Sequence, residues 1–170
     1  MTRAGAAIGS IVFFVFVPGV VAGAMPFWIT GWQLPEPLPL WGIPAVLGGL
    51  LLLPALWVLV DSFVRFARNL GTPAPVAPTQ RLVVDGWYRF VRNPMYVAVL
   101  AIIFAQALLF WSWPVALYGC CVFVLVHLFV VFNEEPALRR QFPADYAAYA
   151  ANVRRWLPRV TPWRANQGSQ

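Results

Sequence analysis

The chain has 170 residues, of which 61% are hydrophobic and 11% charged, with a mean hydropathy of +0.69. That composition is too apolar for an ordinary water-soluble domain and points to an integral membrane protein. The net charge of +6 comes entirely from arginines that flank apolar stretches and form no separate basic module, which argues against a nucleic-acid surface.

A helix needs about 20 apolar residues to cross roughly 30 Å of hydrocarbon. Windows of that kind lie at about 8–24, 41–60, 94–110 and 113–132, predicting an all-α, multi-pass membrane bundle of four transmembrane helices in a single domain. Pro18 and Gly19 interrupt the first window, and three more follow it, so it reads as a retained span and not a secretory signal. The arginines fall at Arg3, from Arg65 to Arg92, and from Arg139 to Arg164. All lie on one side of a four-span chain whose termini are both cytoplasmic, as expected in a cell (inner) membrane. The opposite loops, Met25 to Leu40 and the Trp111-Ser112-Trp113 turn, carry Glu36 as their only charge. The arginine-rich face would then meet anionic lipid.

Between the second and third windows, "RNLGTPAPVAPTQRLVVDG" (68–86) is too rich in proline and small residues for a span or a long helix. It reads as a cytoplasmic loop, either a bare linker or a flap over a site. Directly after it comes "FVRNPMY" (90–96). Asn93 is a good N-cap and Pro94 suits the first helical position, so the third span is expected to open with unpaired backbone N–H groups beside Arg92, an end that attracts anions.

In the fourth window Cys120 and Cys121 are helical neighbours about 100° apart, expected to be plain core residues. No CxxC or HExxH spacing supports a metal site. His127 admits a structural or a pocket role, and its i+7 spacing to Glu134 puts both on one helical face. "FNEEPALRR" then brings Glu134 and Glu135 to the same membrane face as Arg92. With donors at one mouth and carboxylates at the other, the two could bind a mixed-charge ligand; equally they could be interfacial anchors joined by salt bridges. Beyond them Leu138, Phe142, Tyr146, Tyr149 and Val153 form an amphipathic stripe over the C-terminal segment 133–160, and Pro143 should split it into two short cytoplasmic helices.

"GWYRFVRNPMY" resembles the G-x-Y-x-x-x-R-[HN]-P-x-Y motif of the isoprenylcysteine carboxyl methyltransferase and phospholipid methyltransferase superfamily. "EEPALRRQFPADYAAYAANVRRWLP" resembles its second signature, E-E-x-x-L-x-x-x-F-x-x-x-Y-x-x-Y followed by a basic segment and Leu-Pro. The two motifs cover residues 86–158, and the first two spans add only hydrophobicity. The resemblance implies an S-adenosylmethionine-dependent methyltransferase in the lipid bilayer, acting on a lipophilic small molecule or lipid at the cytoplasmic face. It assigns Asn93, Tyr96, Glu134, Glu135 and Tyr146 to the cofactor and Arg92 to the boundary with the acceptor; Arg92 and Arg154 are the candidate catalytic residues. A membrane reductase of sterol-reductase-like architecture using NADPH, or a noncatalytic scaffold, is the alternative.

Three positions depart from the carboxyl-methylating pattern. Asn93 stands where the prenylcysteine enzymes have histidine, Pro143 takes a usual glycine position, and Asn152 replaces an arginine. Arg154 or Arg155 could replace that arginine, re-aimed by about 100° per residue on a helix. The expectation is therefore an acceptor other than a prenylcysteine carboxylate, such as a lipid amine, phenol or thiol.

Overall fold

The computed structural model describes residues 18–34, 42–68 and 82–164, and every regular element among them is helical. Residues 8–17 of the first expected span, 35–40 of the outer loop and 69–81 of the expected cytoplasmic loop lie outside the described residues. Helix α1 (Val20–Thr30) opens with a π-helical turn, Val20–Ala24, and ends where Gly31 turns left-handed at φ 58°. It thus carries the chain past Met25, where the sequence suggested a loop. Helix α2 is Gly42–Arg68, α3 is Pro94–Leu109 and α4 is Trp113–Phe129. A second π-helical turn, Val130–Glu134, joins α4 to α5 (Glu135–Gln141), and α6 is Pro143–Asn152. The break between α5 and α6 falls at the proline expected to split them.

By length and composition, the helical stretches Gly42–Arg65 and Trp113–Gln141 are long and apolar enough to cross a membrane, whereas Val20–Thr30 and Pro94–Leu109 are shorter apolar helices. Helix α3 is the centre of the bundle. Ile103 and Ala105 on it are fully buried, and its apolar side chains pack with Ala22 of α1, Ala55 and Leu59 of α2, and Val115 and Val122 of α4. The α2–α3 contact is close because Gly48 has no side chain: a Cβ there would sit 2.7 Å from the carbonyl oxygen of Ala105. The buried amide of Gln106 is satisfied on both ends, donating to Ala22 O at 2.6 Å and accepting from Trp32 Nε1 at 3.2 Å. The outward faces of α2, α4 and the π-helical turn after it leave Leu50, Leu53, Trp57, Leu125 and Phe132 exposed, as suits a lipid-facing surface.

Cys120 and Cys121 are on that outward face, so they are exposed and not core residues as expected. The reason is that α3 supplies the buried centre and α4 touches it along one narrow stripe, Val115, Gly119 and Val122.

A second, smaller core forms under the C-terminal helices. Tyr146, Tyr149 and Val153 are buried in it, with Leu138, Phe142, Leu82, Val84 and Trp163 packed around them. All five residues of the sequence stripe therefore converge. Ahead of α3, a 3-10 turn at Gly86–Arg89 begins with Gly86 at φ 53°, where any Cβ would overlap the Arg65 guanidinium. Arg65 is itself held by Asp61 at 2.7 Å and Asp85 at 3.5 Å, tying the end of α2 to this turn.

Candidate active site

After α6 the chain turns extended at Val153 and doubles back along the segment that precedes α3. The Arg92 N–H donates to Arg154 O at 2.9 Å, the Arg159 N–H to Phe90 O at 2.8 Å, and the Trp163 N–H to Arg89 O at 2.9 Å. These bonds bring the two sequence motifs together: "RNP" and "RRW" lie against each other, with the glutamate pair beneath.

Glu135 is the hub. Its carboxylate takes two bonds from Arg155, 2.6 Å from Nε and 3.0 Å from Nη2, a bidentate geometry that strengthens both. Arg92 Nη1 lies 3.3 Å from the same carboxylate, and Arg139 reaches it at 4.0 Å. Arg92 also donates to the Tyr146 hydroxyl at 3.1 Å. Burial pushes the Tyr146 phenol up, with Arg92 opposing, and the bond to Glu135 pushes Arg155 up. Both therefore stay protonated at neutral pH. The Nε of Arg92 is buried and has no hydrogen-bond partner among the described residues.

Glu134 faces elsewhere, accepting a bond from the Tyr96 hydroxyl at 3.1 Å. Both residues line an apolar cavity of about 380 Å³ between the helices, walled by Leu59, Val99, Val122 and Val126 and closed at one end by Tyr88, Arg92 and Asn93. A larger groove, about 720 Å³, runs along the outside of the C-terminal segment and is lined by Arg92, Arg154, Arg155 and Arg159. Arg92 borders both spaces.

Several expectations change with this geometry. Arg92 and Glu135 do not sit at opposite mouths open to a ligand; they pair directly, so the salt-bridge alternative describes that contact. Asn93 occupies the N-cap position with Pro94 after it, yet its side chain caps nothing. Its amide donates instead to Arg155 O at 3.2 Å, holding the returning chain. His127 and Glu134 do not share a face, because the π-helical turn Val130–Glu134 inserts an extra residue's rotation between them. Glu134 turns toward Tyr96, while His127 Nδ1 accepts from Trp156 Nε1 at 3.0 Å and its ring makes tilted contacts with Phe123 and Trp156. His127 is thus a structural clasp for the C-terminal segment.

Of the two arginines weighed for the acceptor side, Arg154 is exposed, lends its backbone carbonyl to Arg92 and lines the groove; the guanidinium that enters the cluster belongs to Arg155. Tyr88, the first tyrosine of the "GWYRFVRNPMY" motif, also belongs to the site's surroundings, as do Tyr118 and Trp156, which no sequence signal singled out. The two motifs meet here too: the Tyr149 hydroxyl donates to Tyr88 O at 2.6 Å.

Residues 43–145 match the family model described as phospholipid methyltransferase. A phosphatidylethanolamine N-methyltransferase of Phaeosphaeria nodorum is 33% identical over 100 residues, covering 57% of this chain and 11% of that protein. A methanethiol S-methyltransferase of Pseudomonas deceptionensis is 30% identical over 179 residues, covering 92% of this chain and 61% of that protein. The chain therefore spans less than two thirds of the length of either relative. The matched stretch contains α2, the turn before α3, the central helix and the glutamate pair, and on that basis the chain belongs to the phospholipid methyltransferase family.

Proposed function

We propose that this chain is an S-adenosylmethionine-dependent methyltransferase, a single four-span membrane domain that serves a lipophilic acceptor at the cytoplasmic face of the cell membrane. One observation carries the reading: Arg92 lines both the polar groove and the apolar cavity. A charged ligand arriving from water and an apolar ligand arriving from the bilayer would meet there. Family membership and relatives named for methylation of nitrogen and of sulfur support methyl transfer.

The residues present suit the cofactor. S-adenosylmethionine carries a carboxylate, an ammonium and a sulfonium, and it supplies an electrophilic methyl group. The buried, unpartnered Nε of Arg92 is a donor for the carboxylate. Asn93, Glu135 and Tyr146 would support that end, with Tyr96 and Glu134 lining the place where the methyl group is delivered. Arg154 would form the rim on the acceptor side. Transfer from a sulfonium is an in-line displacement, so the chain's task is to align two reactants and keep water away. The apolar walls of the cavity do the second.

The test is methyl transfer from labelled S-adenosylmethionine, using the full-length protein with a membrane lipid extract, butanethiol or a farnesylcysteine analogue. Label is expected in the lipid extract or the thiol and not in the farnesylcysteine analogue. No transfer to any of the three would contradict the proposal.

A further inference from the structure

His127 is the chain's only histidine, and it lies in α4, where a polar ring is costly unless it faces protein. It lines neither the cavity nor the groove. Its Nδ1 accepts the Trp156 indole N–H at 3.0 Å, and Phe123 completes the cluster, edge-on to the Trp156 ring at 5.4 Å. An indole N–H laid against an apolar helix needs an acceptor, so this bond sets the direction in which Trp156 points.

Trp156 shares a peptide unit with Arg155. That unit is planar, so the Trp156 backbone and the Arg155 carbonyl turn together. The Arg155 carbonyl accepts from the Asn93 amide at 3.2 Å. The Arg155 guanidinium makes the paired bonds to the Glu135 carboxylate, which also holds Arg92 at 3.3 Å. A long, rotamer-rich arginine keeps paired geometry only when its backbone is fixed. Turning Trp156 away from α4 would therefore swing the Arg155 carbonyl off Asn93 and loosen the guanidinium on Glu135.

We infer that His127 is a positioning residue for the cofactor: through Trp156 it fixes the Arg155 peptide unit, and thereby Asn93, Glu135 and Arg92. The identity of the ligand at that end rests on the methyl-transfer reading. The His127 ring supplies packing and its Nδ1 supplies direction, and substitution separates the two. His127→Phe keeps a ring of similar shape and removes the acceptor. His127→Asn keeps an acceptor oxygen near the Nδ1 position and removes most of the ring. Trp156→Phe removes the donor from the other side, whereas Phe123→Leu loosens the same cluster and leaves the bond.

The experiment measures S-adenosylhomocysteine affinity by calorimetry on the full-length protein in detergent, with thermal midpoints and methyl-transfer kinetics beside it. The dissociation constant should rise about tenfold in His127→Phe and in Trp156→Phe, as expected for one lost hydrogen bond, and no further in the double variant. His127→Asn should stay within about threefold of wild type. Phe123→Leu should lower the thermal midpoint while affinity also stays within about threefold. In turnover, KM for S-adenosylmethionine should rise about tenfold in His127→Phe with kcat changed by less than about twofold, since the clasp arranges the binding end and not the transferred methyl group.

Unchanged affinity in His127→Phe and Trp156→Phe would overturn the inference and leave His127 as packing alone. An equal loss in Phe123→Leu, or in His127→Asn, would overturn it as well, as would a fall in kcat with KM unchanged. If His127→Phe does not fold, Trp156→Phe against His127→Asn makes the same comparison. Trypsin cleavage after Arg154 and Arg155 supplies a readout without ligand, expected to be about tenfold faster in His127→Phe and near the wild-type rate in His127→Asn. Equal cleavage rates in wild type and His127→Phe would overturn the clasp itself. If wild type binds no S-adenosylhomocysteine, the methyltransferase reading fails, and cleavage still decides whether His127 holds the segment.

Discussion

Glu135 and Arg155, twenty positions apart, meet through two parallel N–H···O bonds of 2.6 and 3.0 Å, and this contact fastens the C-terminal segment onto the start of the central helix. The same carboxylate neutralises Arg92, whose side chain is 11% exposed. Glu135→Gln would leave the largely buried Arg92 guanidinium and the partly exposed Arg155 guanidinium without their shared counter-charge, and it should destabilise the protein by about 2–3 kcal/mol. Arg139→Gln removes a 4.0 Å contact from a side chain that is 65% exposed. Its effect should stay within about 0.5 kcal/mol. Chemical denaturation in detergent, comparing the two variants, checks the difference.

Gly48 and Gly49 are sequence neighbours with opposite requirements. A Cβ at Gly48 would press on Ala105 O and Leu109 of α3, whereas one at Gly49 would meet nothing within 4 Å. Gly48→Ala should destabilise by about 1–3 kcal/mol through overpacking. Gly49→Ala should be neutral or stabilise by up to about 1 kcal/mol, as alanine is the better helix former. Equal effects in thermal unfolding would contradict the close α2–α3 contact.

How much of this was legible beforehand follows from what each signal measures. Hydropathy locates α2, α3 and α4 because burial in lipid or core demands long apolar runs, and Pro143 marks the α5–α6 break because proline cannot continue a helix interior. Spacing arguments assume a regular 3.6-residue turn. They fail from His127 to Glu134, where the π-helical turn Val130–Glu134 changes the register. They also cannot see that the chain reverses at Val153, which is why Arg155 and Trp156 enter the site while Arg154 points out of the cluster. Cys120 and Cys121 mislead for a related reason, since an apolar neighbourhood in sequence does not say which face of a lipid-exposed helix is buried.

Burial holds the phenols of Tyr88 and Tyr149 above the ordinary tyrosine range. The folded state therefore binds these protons more tightly than the unfolded chain does. The resulting stabilisation is complete below the unfolded pKa of about 10 and is lost as pH rises above it toward the folded values. The thermal midpoint in detergent should fall steeply above about pH 10. In Tyr149→Phe, which also loses the 2.6 Å bond to Tyr88 O, that alkaline fall should be shallower, with about 1 kcal/mol less stability at neutral pH. A midpoint equally pH-sensitive in both proteins would exclude Tyr149 as a source.

The proposed four-span topology predicts that Gln33 and Ala144, both exposed, face opposite sides of the membrane. Single cysteines at these positions, in a background with Cys120 and Cys121 replaced, should react with a membrane-impermeant thiol reagent from opposite sides of sealed vesicles. Labelling of both from the same side would sink the topology.

The central claim is that S-adenosylmethionine binds at Arg92 from the polar groove, with its methyl group directed at the apolar cavity, and ligand-dependent thermal stabilisation in detergent tests it most directly. A ligand bound only by the folded state at 100 times its dissociation constant adds about 2.7 kcal/mol of apparent stability. S-adenosylhomocysteine should raise the unfolding temperature in a concentration-dependent way, NADPH should not, and Arg92→Ala should weaken the S-adenosylhomocysteine response. Stabilisation by NADPH alone would contradict the account and favour a membrane reductase.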